Sequence, residues 1–315
     1  MGTVVISVDA ALGWSCIDRQ SPPVERVEAA RSGWRTLLDR FDDHDLPATW
    51  GVVGHLLLEH CDGVHEHHPL SPGWFDRERE AWEDCPELRF APNLVEETVD
   101  APAGHEFAFM PFSHVEFGHD EVSSDLARAE CVGFFDALPD DLPSPRTATF
   151  PCNAVGHRAV LAEWGFECYR GRIPGRATQL PIARSARRLA NATVAGPPIV
   201  RPTVDEYGLV ALPTSLDCSA AQSAAGRLYS RAITDPTLAA VHRGLERVAA
   251  SDDGVFHCRL RPIDVIDDRD ESRLESFCRA VADYRDDEGV DVATVGTVAE
   301  RARSAPPSRW SHPMT

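Results

Sequence analysis

"EFAFMPFSHVEFGHDE", residues 106–121, opens as an apolar run of strand length and closes in a polar turn carrying His114 and His119. A short apolar run bounded by a turn is what a strand buried on both faces requires, and such strands belong to parallel sheets. Where parallel strands alternate with helices, chemistry gathers at the carboxyl ends of the strands. His114 stands just beyond such an end. Four residues before it, where a second imidazole would be well placed to share a metal ion, stands Met110. The stretch is therefore a metal site, the remains of one, or core followed by loop.

Runs of the same kind recur along the chain: "TVVISV" (3–8), "PATWGVV" (47–53), "TATF" (147–150), "FECY" (166–169), "LVALPTS" (209–215), "VFHCRL" (255–260) and "VDVATV" (290–295). Helical periods lie between them. Pro22 and Pro23 open one that carries Val27, Trp34, Leu37, Leu38 and Phe41, and "APNLVEETV" holds a short one. Others run through Leu126, Cys131 and Phe135, up to a C-terminal glycine at Gly165, through Val241, Leu245 and Val248, and through Leu274, Phe277 and Val281. Seven or eight such units predict an α/β fold: a distorted (β/α) barrel of seven or eight parallel strands, as a single domain. It spans 1–300, with an irregular insert at about 61–90 and a tail at 301–315. No GxGxxG or Walker loop follows any strand, so nucleotide binding lacks its signature.

The charge balance is unusual. All 31 basic residues are arginine, set against 50 acids, for a net charge of −19. Carboxylate excess without lysine is the expected composition of a halophile's cytosolic protein, whose acidic surface stays hydrated while concentrated salt screens its self-repulsion. It disfavours nucleic-acid partners. No run approaches the length of a membrane span, no signal peptide opens the chain, and a cytoplasmic location is expected. The nine cysteines include no CxxC pair, which predicts reduced, mostly buried thiols. From Gly171 to Val204 there is no acid, yet Arg172, Arg176, Arg184, Arg187, Arg188 and Arg201 all occur. This is either a site for an anionic ligand or a covering loop paired with the body's carboxylates.

Read in order, the strand ends are "SVDAALGW", "ATWGVVGHL", "MPFSHVEF", "FPCNAVGH" and "FHCRLRPIDV". This series resembles the polysaccharide deacetylases, the NodB-homology carbohydrate esterases, over nearly the whole chain. The resemblance implies hydrolytic removal of acetyl groups from N-acetylated sugars. It also implies one divalent metal, commonly zinc, held by an Asp and an HxxxH pair, with a second Asp as base and a late His as acid. Carried over by position, Asp9 matches the catalytic base and His114 one metal ligand, and Asn153 and Arg261 are the candidate substrate-binding residues. The remaining positions depart from the pattern: Ala10 replaces the metal carboxylate, Met110 the first histidine, Cys152 a basic residue, and Arg261 the acid of a late His-Pro.

Each feature also has a plainer reading. Asp9 can cap a turn, His114 can be a loop histidine, and Met110 suits core packing. Arg261 cannot serve as an acid, because a guanidinium holds its proton, but it can bind a carboxylate or phosphate. His105, Glu116 and His119 do not reproduce the HxxxH spacing. "HEHHP" (65–69) crowds imidazoles as metal tracts do, although its place in an irregular insert favours a solvated loop. Two functions follow: a metal-dependent sugar deacetylase, or a catalytically silent relative serving as a carbohydrate-binding or regulatory subunit. The missing metal carboxylate, the missing histidine and the missing acid fail three separate roles and favour the second, and the expected partner is a carbohydrate, one with anionic groups if the arginine segment binds it.

Overall fold

The computed structural model describes residues 1–16, 24–65, 68–69, 75, 82–83, 85–173, 196–218 and 235–304. Its strands are β1 (Thr3–Ala10), β2 (Thr49–Val53), β3 (Glu106–Met110), β4 (Thr147–Ala148), β5 (Cys168–Gly171), β6 (Thr203–Val204), β7 (Val210–Pro213), β8 (Leu216–Asp217), β9 (Val255–Leu260) and β10 (Asp291–Ala293). The helices are α1 (Val24–Asp43), α2 (Pro86–Arg89), α3 (Pro92–Asp100), α4 (Ser124–Ala137), α5 (Arg158–Glu163), α6 (Pro236–Ala249), α7 (Asp268–Glu288) and α8 (Val295–Ser304). Among the described residues no helix is long and apolar enough to cross a membrane.

The sheet runs β6-β7-β5-β4-β3-β2-β1-β9-β8, with β10 added on β1. Every pairing between these strands is parallel except β6 with β7. One extended stretch brings the sheet round on itself. Val210–Pro213 lie along β5, and Leu216–Asp217 lie along β9. Between them the Thr214 N–H still donates to Gly171 O at 3.3 Å, while the Ser215 N–H already donates to His257 O at 2.8 Å. The switch closes a distorted (β/α) barrel with seven staves: β1, β2, β3, β4, β5, the β7–β8 stretch and β9.

Helices seal the outside of this sheet through aromatic contacts. Trp34 of α1 stacks on Trp50 of β2 at 5.4 Å, and its indole N–H is satisfied by Thr98 Oγ1 of α3 at 2.9 Å. Inside, register decides what shares a layer. Ser7 lies opposite Arg259, and Asp9 opposite Gly51. A Cβ on Gly51 would sit 2.1 Å from Thr149 Oγ1, so the missing side chain makes room for a neighbour's hydroxyl.

Candidate functional site at the strand ends

Along a strand, residues two apart share a face. Ser7 and Asp9 of β1 therefore point the same way, as do His257 and Arg259 of β9, and the parallel register sets the two pairs side by side. The barrel interior is filled at this level by charge. One Asp9 oxygen accepts from Arg170 Nη1 of β5, and the other accepts from Arg259 through Nε at 2.7 Å and through Nη2. Arg259 also donates to Asp217 of β8 at 3.2 Å. Arg170 has no exposed surface, and Asp9, Asp217 and Arg259 are buried with it. Two carboxylates and two guanidiniums balance, which makes such a cluster tolerable out of water.

Burial alone would raise the Asp9 pKa; the charges of Arg170 and Arg259 outweigh it and hold the carboxyl well below the usual range. Beneath this layer, His257 lies 3.1 Å from Pro213 O and 2.9 Å from Ser7 Oγ. A carbonyl only accepts, so Nδ1 carries the proton and Nε2 accepts from the Ser7 hydroxyl. Burial, then the neighbouring Arg170 charge, pushes His257 down to about 3, and it is neutral at ordinary pH.

Of the residues singled out in the sequence, Asp9 and Asn153 come together. Asn153 Oδ1 accepts from Arg170 Nε at 2.8 Å, so Asn153 orients the guanidinium that grips Asp9. Arg261 lies outside this group, with its fork closed on Asp264 by two 2.8 Å hydrogen bonds. His114 occupies a tight turn, with φ +65° and its N–H donating to Pro111 O at 3.0 Å. Met110 is sealed in the core. His119 pairs with Glu116 at 3.2 Å, and His105 accepts from the Ala48 N–H at 3.1 Å below the barrel's other end.

The sequence reading missed Arg170, Arg259, Asp217, Ser7 and His257. The signal was present: polar residues at i and i+2 inside apolar strands, in "ISVDA" and again in "FHCRL", mark one face that is not ordinary core. In the arginine-rich segment, Arg172 donates to Val155 O at 3.1 Å and Arg201 to Asp253 at 2.6 Å, both structural contacts. Arg176, Arg184, Arg187 and Arg188 lie outside the described residues.

No family model and no curated protein matches the sequence. Solved structures do match. A protein from Mycobacterium smegmatis named as a polysaccharide deacetylase superposes with a TM-score of 0.64 at 17% identity, covering 99% of this chain and 94% of its own. Another so named, from Pseudomonas aeruginosa, gives 0.61 at 12% identity over 96% and 92%. This is the polysaccharide-deacetylase fold. An allantoinase shares the deacetylase fold as well, at TM-score 0.60 and 11% identity over 99% and 92%.

The zinc that the resemblance implies can be tested against the side chains at these strand ends. Ala10 has no donor atom, the Met110 thioether is enclosed in the core, and both Asp9 oxygens are engaged by arginine. A hydrolytic zinc needs about three hard or imidazole ligands and an open position for water. These residues do not fit it. A different set of donors sits beside the end of β2, where one ligand atom from each of His55, Cys61 and His65 lies within 4.8 Å of the others.

Proposed function

We propose that this chain is a catalytically silent relative of the polysaccharide deacetylases that binds a carbohydrate at the strand-end mouth of the barrel. The observation that carries the reading is the double grip of Arg170 and Arg259 on Asp9. A general base needs a lone pair facing the proton it takes and a pKa near the working pH. A carboxylate closed between two guanidiniums and held far below the usual range has neither. Asp9 instead fixes the arginines that seal the floor of the mouth, and Asn153, bonded to Arg170, is an amide beside that floor with hydrogen-bonding chemistry suited to sugar hydroxyls. Cys16, Cys131, Cys168, Cys258 and Cys278 are buried thiols outside any disulfide, which suits a reducing cytoplasm.

The competing reading, an active sugar deacetylase, rests on the neighbours named for that activity and would need a base other than Asp9. Acetate release from acetylated chito-oligosaccharides with added zinc, alongside calorimetric titration of the same oligosaccharides, separates the two. The expected result is binding without turnover. Acetate release that disappears in Asp9→Asn would overturn the proposal, as would failure of every neutral or acidic oligosaccharide to bind.

A further inference from the structure

We infer that the loop following β2 is a binding site for a thiophilic divalent cation, zinc by its ligand chemistry, formed by His55, Cys61 and His65. None of the residues at positions 9, 10, 110 and 114 belongs to this site, which is independent of carbohydrate binding at the barrel mouth.

His55 follows β2 directly, and its N–H donates to Phe112 O at 3.0 Å, tying the turn to the neighbouring strand end. Its side chain is fully buried. The ring is confined by Trp14 at 4.3 Å, Phe112 at 5.0 Å and Phe90 at 5.5 Å, so an imidazole is fixed in place by packing. Cys61 and His65 close on each other within a five-residue turn. Gly63 takes the left-handed φ of +71° that the turn requires, and the Val64 N–H is capped by Asp62 Oδ1 at 2.9 Å. The Gly63 N–H donates to Cys61 Sγ at 3.3 Å, the kind of contact that eases a thiolate's charge. His65, placed by the sequence reading in a solvated tract, is instead turned inward, with its ring 4.1 Å from Phe75 and 5.5 Å from Phe112.

The separations suit a metal. With Zn–N near 2.1 Å and Zn–S near 2.3 Å, tetrahedral donors N and S stand roughly 3.6 Å apart. Cys61 Sγ and His65 Nε2 are already 3.4 Å apart, and the other separations, all within 4.8 Å, need to shorten by at most about 1.4 Å to meet that geometry. One thiolate with two imidazoles selects zinc over magnesium or calcium. The loop's far end is anchored independently. The His68 N–H donates to His65 O at 2.9 Å, and His68 Nε2 lies 3.1 Å from the buried Glu130 carboxylate. Two of the other thiols are poor ligands: burial pushes Cys131 and Cys168 up to about 12.

Cobalt(II) titration of the chelator-stripped full chain in concentrated potassium chloride tests the site. We expect one equivalent to bind with the intense near-ultraviolet band of sulfur-to-cobalt charge transfer, and zinc to displace it. Cys61→Ser should abolish the band and weaken zinc at least tenfold. His65→Ala should weaken zinc similarly, and His114→Ala should change neither. Both Cys61 and His65 are only partly buried, so circular dichroism should show these variants folded. His55 is left intact because its ring is core. A charge-transfer band that survives Cys61→Ser, binding lost in His114→Ala but not in Cys61→Ser, or no saturable binding at all would each overturn the assignment.

Discussion

Replacing Asp9 with alanine strands a buried cation. Arg170, with no exposed surface, would keep hydrogen bonds only to neutral groups among its described partners: Asn153 at 2.8 Å, the Phe150 carbonyl at 3.3 Å and Ser7 at 3.5 Å. Arg259 would still hold Asp217 at 3.2 Å, so the loss falls chiefly on Arg170. Removing one partner of a buried pair costs about 3–5 kcal/mol, out of a total stability of about 5–15 kcal/mol. Removing Arg170 as well, as Asp9→Ala with Arg170→Met, takes the orphaned charge away and fills its space with an apolar chain of similar length. The double variant should therefore be more stable than the single one, with a coupling of about 2 kcal/mol. Urea unfolding in concentrated potassium chloride, followed by circular dichroism, measures all three. If Asp9→Ala unfolds within about 1 kcal/mol of the parent, the reasoning fails. A gain in stability would be worse for it, because removing a strained catalytic group often stabilises.

Three further outcomes are expected. His257 is held down to about 3, against roughly 6.5 in the unfolded chain, so the unfolded state takes up its proton first as pH falls. Its contribution is complete above pH 6.5 and is lost towards pH 3, at about 1.4 kcal/mol per pH unit; His257→Gln should flatten the stability–pH curve there by one proton. Gly51→Ala should destabilise by about 1–3 kcal/mol, because its Cβ would overlap the buried Thr149 hydroxyl, and an unchanged urea midpoint would contradict the packing. With a net charge of −19 and no lysine, the melting temperature should rise steadily across a potassium chloride series, and a melting temperature independent of salt would remove the halophile reading.

Much of the barrel can be read from the sequence, because its central strands are apolar runs with polar ends. "EFAFM" and "VFHCRL" coincide with β3 and β9 residue for residue, and Gly165 ends its helix with φ +81°. The two-residue strands β6 and β8 carry no periodicity to detect. The final apolar run predicts strand through Val295, where α8 instead begins. Thr294 explains the switch, since its hydroxyl accepts from the Thr297 N–H at 3.2 Å and caps the new helix. At the site, Asp9 is legible as an acid at a strand end. Arg259 is marked with it, two residues after His257 in β9, but Arg170 is not, because a single buried arginine in "CYRG" makes sense only once the opposing carboxylate is known to lie 161 residues away.

The position of β1 has a consequence for how the chain reaches its native state. β1, which precedes the other described strands in the chain, lies between β2 and β10 on one side and β9 on the other. Its acid, Asp9, is neutralised by a guanidinium 250 residues later. No nascent chain short of residue 259 can assemble the whole charged layer, and any earlier collapse has only Arg170 to pair with that carboxylate. Contacts of such sequence separation slow folding, and here they make it wait for β9. The barrel is thus completed late, by the strand that carries Arg259, and a chain terminated before β9 should be degraded or aggregate instead of persisting as a partial fold.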